Sequence, residues 1–191
     1  MGRHWISATV VIVCLAWAAG LTHAKKKEGK PVQERFEATV SAQGRSIRIS
    51  IREYSSDEEM QNFAQSFNTG GEGALRKALG KSKKGFFRLG DGPAMPLMIV
   101  QSQSAGSVRK LNMLGLAPTV FSGQFGGSVS IGHRGYDYTF IQLEVDEQGK
   151  GRGALVPYAN IVFDPQGRIM IKPMGAVDKR PAQLVNVHRE E

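Results

Sequence analysis

Apolar residues recur at every second position in several separate stretches of this chain, and that period decides what it can fold into. Phe36, Ala38 and Val40 alternate with Glu37, Thr39 and Ser41, and after Gln43-Gly44 the pattern resumes as Ile47, Ile49 and Ile51 against Arg48, Ser50 and Arg52. Successive side chains of a strand point to opposite faces, so each stretch predicts a strand with one apolar and one polar face. The short glycine-containing connection makes the pair a β-hairpin with one wet face.

The period then changes. Ser55-Ser56-Asp57-Glu58-Glu59 opens a helix, with acids at the positive end of its dipole. With Ser56 as the cap, Glu59 takes the position of the reciprocal capping-box glutamate. Met60, Phe63, Ala64 and Phe67 follow at i, i+3, i+4 and i+7, one face of a helix. Asn68 to Gly71 reads as its end. A second short helix fits Glu72 to Leu79, stopped by Gly80.

Strands return at Phe86, Phe87 and Leu89, then over Met95–Gln103, with weaker signals at Val108–Leu114 and Thr119–Phe125. Residues 122–135, rich in glycine and serine, read as a loop with at most a brief strand at 128–131. Tyr136–Val145 carries apolar residues on both faces, as a strand covered on both sides does. Gly153–Val156 pairs back across Asp146–Gly151. Ile161–Phe163 and Arg168–Lys172 flank Asp164-Pro165-Gln166-Gly167 as another hairpin, and Leu184, Val185 and Val187 close the series. The expected class is α+β: mainly an antiparallel β meander of about seven to ten strands, a curled sheet or possible barrel, with a two-helix insertion after the second strand. Periodicity does not report closure.

The first residues address the chain rather than fold it. Arg3 is a short basic start, Ile6 to Leu21 is mostly apolar, and Thr22-His23-Ala24 offers small residues where a signal peptidase reads. The apolar run is about 16 residues, against roughly 20 for a spanning helix, which weighs against an uncleaved anchor. Cys14 lacks the small residues that precede a lipidated cysteine. Residues 1–24 are therefore expected to be a signal peptide, 25–31 a flexible basic tail and 32–188 a single β-rich domain, periplasmic or extracellular. Cys14 is the one cysteine; its removal with the signal leaves no disulfide, thiol catalysis or thiolate metal site.

In the last third, YDYTFIQLEVDEQGKGRGAL, IVFDPQGRIMIK and PAQLVNV together resemble an uncharacterised family of small exported bacterial proteins common in Acidobacteria. The blocks ERFEATV, SSDEEMQNFAQSFNTGGEGALRKAL and GFFRLG are similar to that family as well, so the resemblance covers about residues 34 to 187. It implies export and a shared fold, and it transfers no catalytic residue or ligand.

Few residues carry catalytic chemistry. After processing only His133 and His188 remain, far apart and in no HExxH or HxH arrangement, so no metal site is expected. Ser122 and Ser128 lie in no GxSxG elbow. Gly123–Gly127 and Gly149–Gly153 complete no nucleotide fingerprint and read as turn chemistry. Glu144 and Asp146 read as solvated groups at a strand end. Met95, Met98 and Met113 fit ordinary core packing better than an apolar ligand cavity. No catalytic residue, metal or cofactor is assigned.

Charge is more informative. The formal net charge is +8. Arg76, Lys77, Lys81, Lys83, Lys84 and Arg88 cluster against Glu72, and no acid occurs from Gly92 through Tyr136, where Arg109, Lys110 and Arg134 stand. If these segments meet, they make one basic face attractive to polyanions. Phe86 or Phe87 could stack on a ligand, although adjacent strand residues point opposite ways and one should be a core anchor. The favoured function is a non-catalytic exported ligand- or partner-binding module of the cell envelope, holding an anionic lipid headgroup or surface polysaccharide, with nucleic acid disfavoured. The alternatives are an envelope hydrolase using scattered carboxylate or serine residues and an inert structural domain.

Overall fold

The computed structural model describes residues 31–41, 43–116, 138–172 and 181–190. The expected signal, all of the expected tail but its last residue, the strand at 119–125 and the glycine-rich stretch with Ser122, Ser128, His133 and Arg134 lie outside the described residues. The elements are β1 (Glu34–Val40), β2 (Arg45–Ile51), α1 (Asp57–Leu79), β3 (Gly85–Leu89), β4 (Met95–Ala105), β5 (Val108–Leu116), β6 (Tyr138–Val145), β7 (Gly151–Ala159), β8 (Ile161–Phe163), β9 (Ile169–Ile171) and β10 (Ala182–Glu190).

Two parts of the expected architecture are corrected. The sheet is a closed barrel in the order β1-β10-β7-β6-β5-β4-β3-β2, with β8 and β9 as a separate two-stranded sheet. Closure comes from β10 pairing antiparallel with β1, from Arg35 opposite Glu190 to Val40 opposite Leu184. Period two registers which way a side chain points but not which strand lies beside which, so this long-range pairing left no local trace. The two expected helices are one element. Only Gly71 departs from helical geometry, at φ 63°, ψ −158°, and helical turns continue on both sides of the kink. Glycine adopts that left-handed φ without a Cβ clash, so the break is confined to one residue. Ser56 does cap α1: its Oγ accepts from the Glu59 N–H, while the Ser56 N–H donates to the Glu59 carboxylate.

The barrel interior is filled. Phe36, Ile47, Ile49, Ile51, Phe87, Leu97, Val100, Leu111, Met113, Ile141, Leu143 and Leu155 belong to one buried cluster. An eight-stranded barrel is wide enough for its own side chains or one small ligand, and here side chains take the space. Met95 and Met113 pack inside it, whereas Met98 lies in the other cluster, so the three methionines share no cavity. Register shifts bend the alternation where closure requires it. In β10 the shift between Leu184 and Val187 leaves both pointing inward, with Asn186 at φ 54° absorbing the surplus residue.

The second cluster sits on the outside. Met60, Phe63, Leu75 and Leu79 of α1 join Met98, Ile99, Leu114, Tyr138, Phe140 and Val156 of β4–β7, together with Ile161 and Ile169 of the hairpin. Tyr138 and Phe140 face this outer cluster while Ile141, Leu143 and Val145 face the interior, so β6 is apolar on both sides because both are covered. Phe63 is 7% exposed. Its replacement by alanine is expected to cost about 3–5 kcal/mol in urea unfolding. A loss under about 1 kcal/mol would show that α1 does not dock through this side chain.

Candidate functional site

The outer cluster covers β4–β7 and includes no residue of β10, β1, β2 or β3. The outward face of that second wall is built by the same alternation that fills the core. On β2, Ile47, Ile49 and Ile51 point in, so Arg48 and Ser50 point out. On β3, Phe87 and Leu89 point in, so Phe86 and Arg88 point out. The register sets His188 opposite Glu37, Glu37 opposite Arg48, and Arg48 opposite Arg88. A second row runs from Glu190 through Arg35 and Ser50 to Phe86. Just past β2, the Arg52 guanidinium lies 5.4 Å from the centre of the Phe86 ring, and among the described residues its Nε has no hydrogen-bond partner.

Arg48 and Arg88 thus stand directly across from each other on neighbouring strands. Like charges in that position repel, and one carboxylate in the row, Glu37, balances only one of the two. Arg48 reaches the Gly90 carbonyl at 3.4 Å, a weak tether. A wall of arginines beside a half-exposed aromatic ring can take planar anionic groups bidentately while the ring and the arginine stems offer apolar contact. Its outward charge is the opposite of the apolar band that a lipid-facing barrel carries. Among the described residues no helix is long and apolar enough to cross a membrane.

The basic residues singled out from sequence are dispersed. Arg76 and Lys77 lie in the last turn of α1, Lys81 and Lys83 in the connection to β3, and all four are exposed. Arg76 neighbours the Tyr138 hydroxyl, whose pKa burial pushes up. Lys84 is buried and bonded to both Glu59 oxygens at 2.7 Å, with Glu53 at 3.4 Å. Lys110 pairs with Glu144 at 3.8 Å on the outer face of β5 and β6, and Arg152 meets the same carboxylate at 3.3 Å. Arg88 is the one of the nine on the arginine wall; Arg134 lies outside the described residues.

Arg109 has a different post. It projects on the inward side of β5 at the barrel end and holds Glu34 of β1 through two hydrogen bonds, 2.9 and 2.5 Å. β1 and β5 are four strands apart in either direction round the ring, so this pair crosses the barrel mouth. The Tyr54 hydroxyl donates to Glu34 at 2.9 Å, and Arg109 lies 5.9 Å from the centre of the Phe36 ring. The Arg109 hydrogen bonds hold the Glu34 carboxyl below the usual carboxylate range despite partial burial. Burial and the adjacent carboxylate push the Tyr54 hydroxyl up.

The sequence reading missed Arg35, Arg48 and Arg52 as site residues. The outward direction of Arg48 and Arg52 is present in the alternation RSIRISIR and that of Arg35 in ERFEATV; the meeting of Arg48 with Arg88 depends on the β2–β3 register. The stacking question resolves as one ring each way, Phe87 fully buried and Phe86 on the wall. Asp146, read as a solvated strand end, ties the β6–β7 turn by accepting from the Lys150 N–H at 2.9 Å.

Fold and site together define an up-and-down, solid-cored eight-stranded β-barrel with one wall covered by a helix and a hairpin and the other carrying arginines. Comparison with protein-family models, with curated proteins and with solved structures gave no match.

Proposed function

We propose that this protein is a non-catalytic exported module that holds an acidic polysaccharide of the cell envelope on the β1–β3 wall. The observation that carries the reading is the direct cross-strand opposition of Arg48 and Arg88 outside the covered half of the barrel. An anion bound between them converts a repulsion into two charge-assisted contacts. Arg35 and Arg52 extend the positive strip along the strands, as a repeating anionic polymer requires. Among the described residues the apolar depth needed to enter a bilayer is missing from this wall: Phe86 is its aromatic group, and the large exposed apolar residues Val108, Met170 and Val185 are scattered over three strands. A polysaccharide is therefore favoured over a lipid headgroup. Export rests on the N-terminal signal and on the resemblance to the exported family.

Retention on heparin and on polygalacturonate, with vesicles containing anionic lipid as the comparison, tests this at low and moderate salt. The natural chain is expected to be retained at about 20 mM salt and released well below 1 M, because exposed charges are screened within about 3 Å at that strength. Arg48→Glu combined with Arg88→Glu should weaken binding at least tenfold, while Lys77→Glu should change it by less than threefold. Failure of the unaltered protein to bind either polymer at low salt would refute the proposal. So would equal binding by the double variant, or a preference for vesicles over both polymers.

A further inference from the structure

A second site lies on the opposite wall. Beyond the apolar outward rows of β4–β7 lie a charged row, Gln103, Lys110, Glu144 and Arg152, and between the two an uncharged polar one: Gln101, Asn112 and Gln142 face each other in register across β4, β5 and β6. Gln101 and Asn112 are only 9% and 5% exposed. The Gln142 Nε2 donates to Asn112 Oδ1 at 2.8 Å, the only hydrogen bond that either side chain makes among the described residues. Among the described residues the Asn112 Nδ2 donor and the Gln142 Oε1 acceptor have no protein partner, and the Gln101 Oε1 beside them is buried without one. Leaving a buried amide oxygen unpaired is unfavourable, and amides on a sheet face under a hairpin need partners from outside the sheet.

Space has been left beside this row. The next position across is Ala154 of β7, a methyl group where its neighbours carry longer side chains. With β9 along the other side, the result is a groove of about 420 Å³ floored by Asn112 and Gln142, within the size range of small-molecule sites. Its charges are already matched, Lys110 to Glu144 and Arg168 to Asp164. What remains unmatched is uncharged: amide donors and acceptors. Apolar side chains of Ile169 and Ile171 complete the lining.

From this combination we propose that the groove binds a neutral sugar residue. A hydroxyl both donates and accepts, so adjacent hydroxyls can serve an amide donor and an amide acceptor together. The carbon face of the ring then meets the hairpin. An extended peptide also presents one residue's N–H and C=O on the same side; what favours a sugar is the apolar pair Ile169 and Ile171 across from the amides, against which the carbon face of a ring packs. This site stands apart from the arginine wall, on other strands, and does not depend on the polysaccharide reading.

The test is a side-chain amide NMR titration of the full chain with cellobiose, maltose, chitobiose and, as a peptide probe, acetylated trialanine. At least one disaccharide is expected to shift the Asn112 and Gln142 NH₂ signals in a saturable way. Gln142→Ala should weaken that binding at least tenfold, and Ala154→Leu should do the same by filling the groove while leaving every amide in place. Melting curves check that both variants fold, and Arg48→Glu/Arg88→Glu should leave sugar binding unchanged. The proposal is overturned if no disaccharide shifts these signals, if Ala154→Leu binds like the natural chain, or if the tripeptide binds in preference.

Discussion

Gly151→Ala is expected to destabilise the barrel by about 3 kcal/mol or more, a fall in melting temperature of roughly 6–12 °C for a domain of this size. Gly151 opens β7 opposite Val145, at the closed end of the β6–β7 pair. A Cβ placed there would lie 1.8 Å from the Glu144 carbonyl oxygen and 3.0 Å from the Val145 Cα. Both obstacles are backbone, so no rotamer change relieves them, and β6 and β7 would have to separate. In an open sheet an edge could drift outward; in a closed ring the displacement is passed to every pairing. Gly73→Ala is the matched control. Its Cβ would meet nothing within 4 Å and its backbone is helical, so it should stabilise by about 0.5–1 kcal/mol. Thermal and urea unfolding of both variants should therefore move in opposite directions. A Gly151→Ala variant with unchanged stability would mean that the strands do not approach this closely.

Arg109→Ala should cost about 2–4 kcal/mol at neutral pH, since it leaves a partly buried carboxylate without its cation. The Arg109 and Glu34 side chains are 27% and 19% exposed, which places the figure below that of a fully buried pair. The loss should depend on pH in one direction. Glu34 is held below its ordinary range by Arg109, so the folded state keeps it ionised to lower pH than the unfolded chain does. Its contribution is complete above the unfolded carboxyl value of about 4.3 and disappears as pH falls through the depressed folded value. The stability gap between the natural chain and Arg109→Ala should accordingly be largest near neutrality and narrow toward pH 3, measured by urea unfolding at each pH. Replacing the pair together, Glu34→Leu with Arg109→Met, should restore most of the loss, because apolar side chains need no partner in the mouth. A gap independent of pH would remove the ion pair as the cause.

Gly151 meets Glu144 across a hairpin and Arg109 meets Glu34 across the barrel, and both contacts are made between strands, where a reading along one segment reaches its limit. Gly149–Gly153 reads from the sequence as turn chemistry, with the returning strand beginning at Gly153. Gly149, at φ 77°, does sit in the turn, but Gly151 and Gly153 are strand residues kept small by the β6 backbone. Arg109, Lys84 and Lys110 read as parts of a basic surface, and each has an acidic partner on another element, Glu34 on β1, Glu59 on α1 and Glu144 on β6. A local run of cations cannot reveal whether an acid is waiting across the fold. The arginine wall was overlooked for the converse reason, since Arg48 and Arg88 are 40 positions apart in the numbering and become neighbours only through register.

The residues by themselves determined direction. Alternation along β1, β2 and β6 stated which side chains enter a core, and Ser56 with Glu59 stated where α1 begins, because these effects act within a few residues. Closure, the filled interior, the single kinked helix and the identity of each charge's partner were decided by the tertiary structure. They depend on which strands become neighbours, a choice made by the whole set of pairings at once and carried by no segment alone.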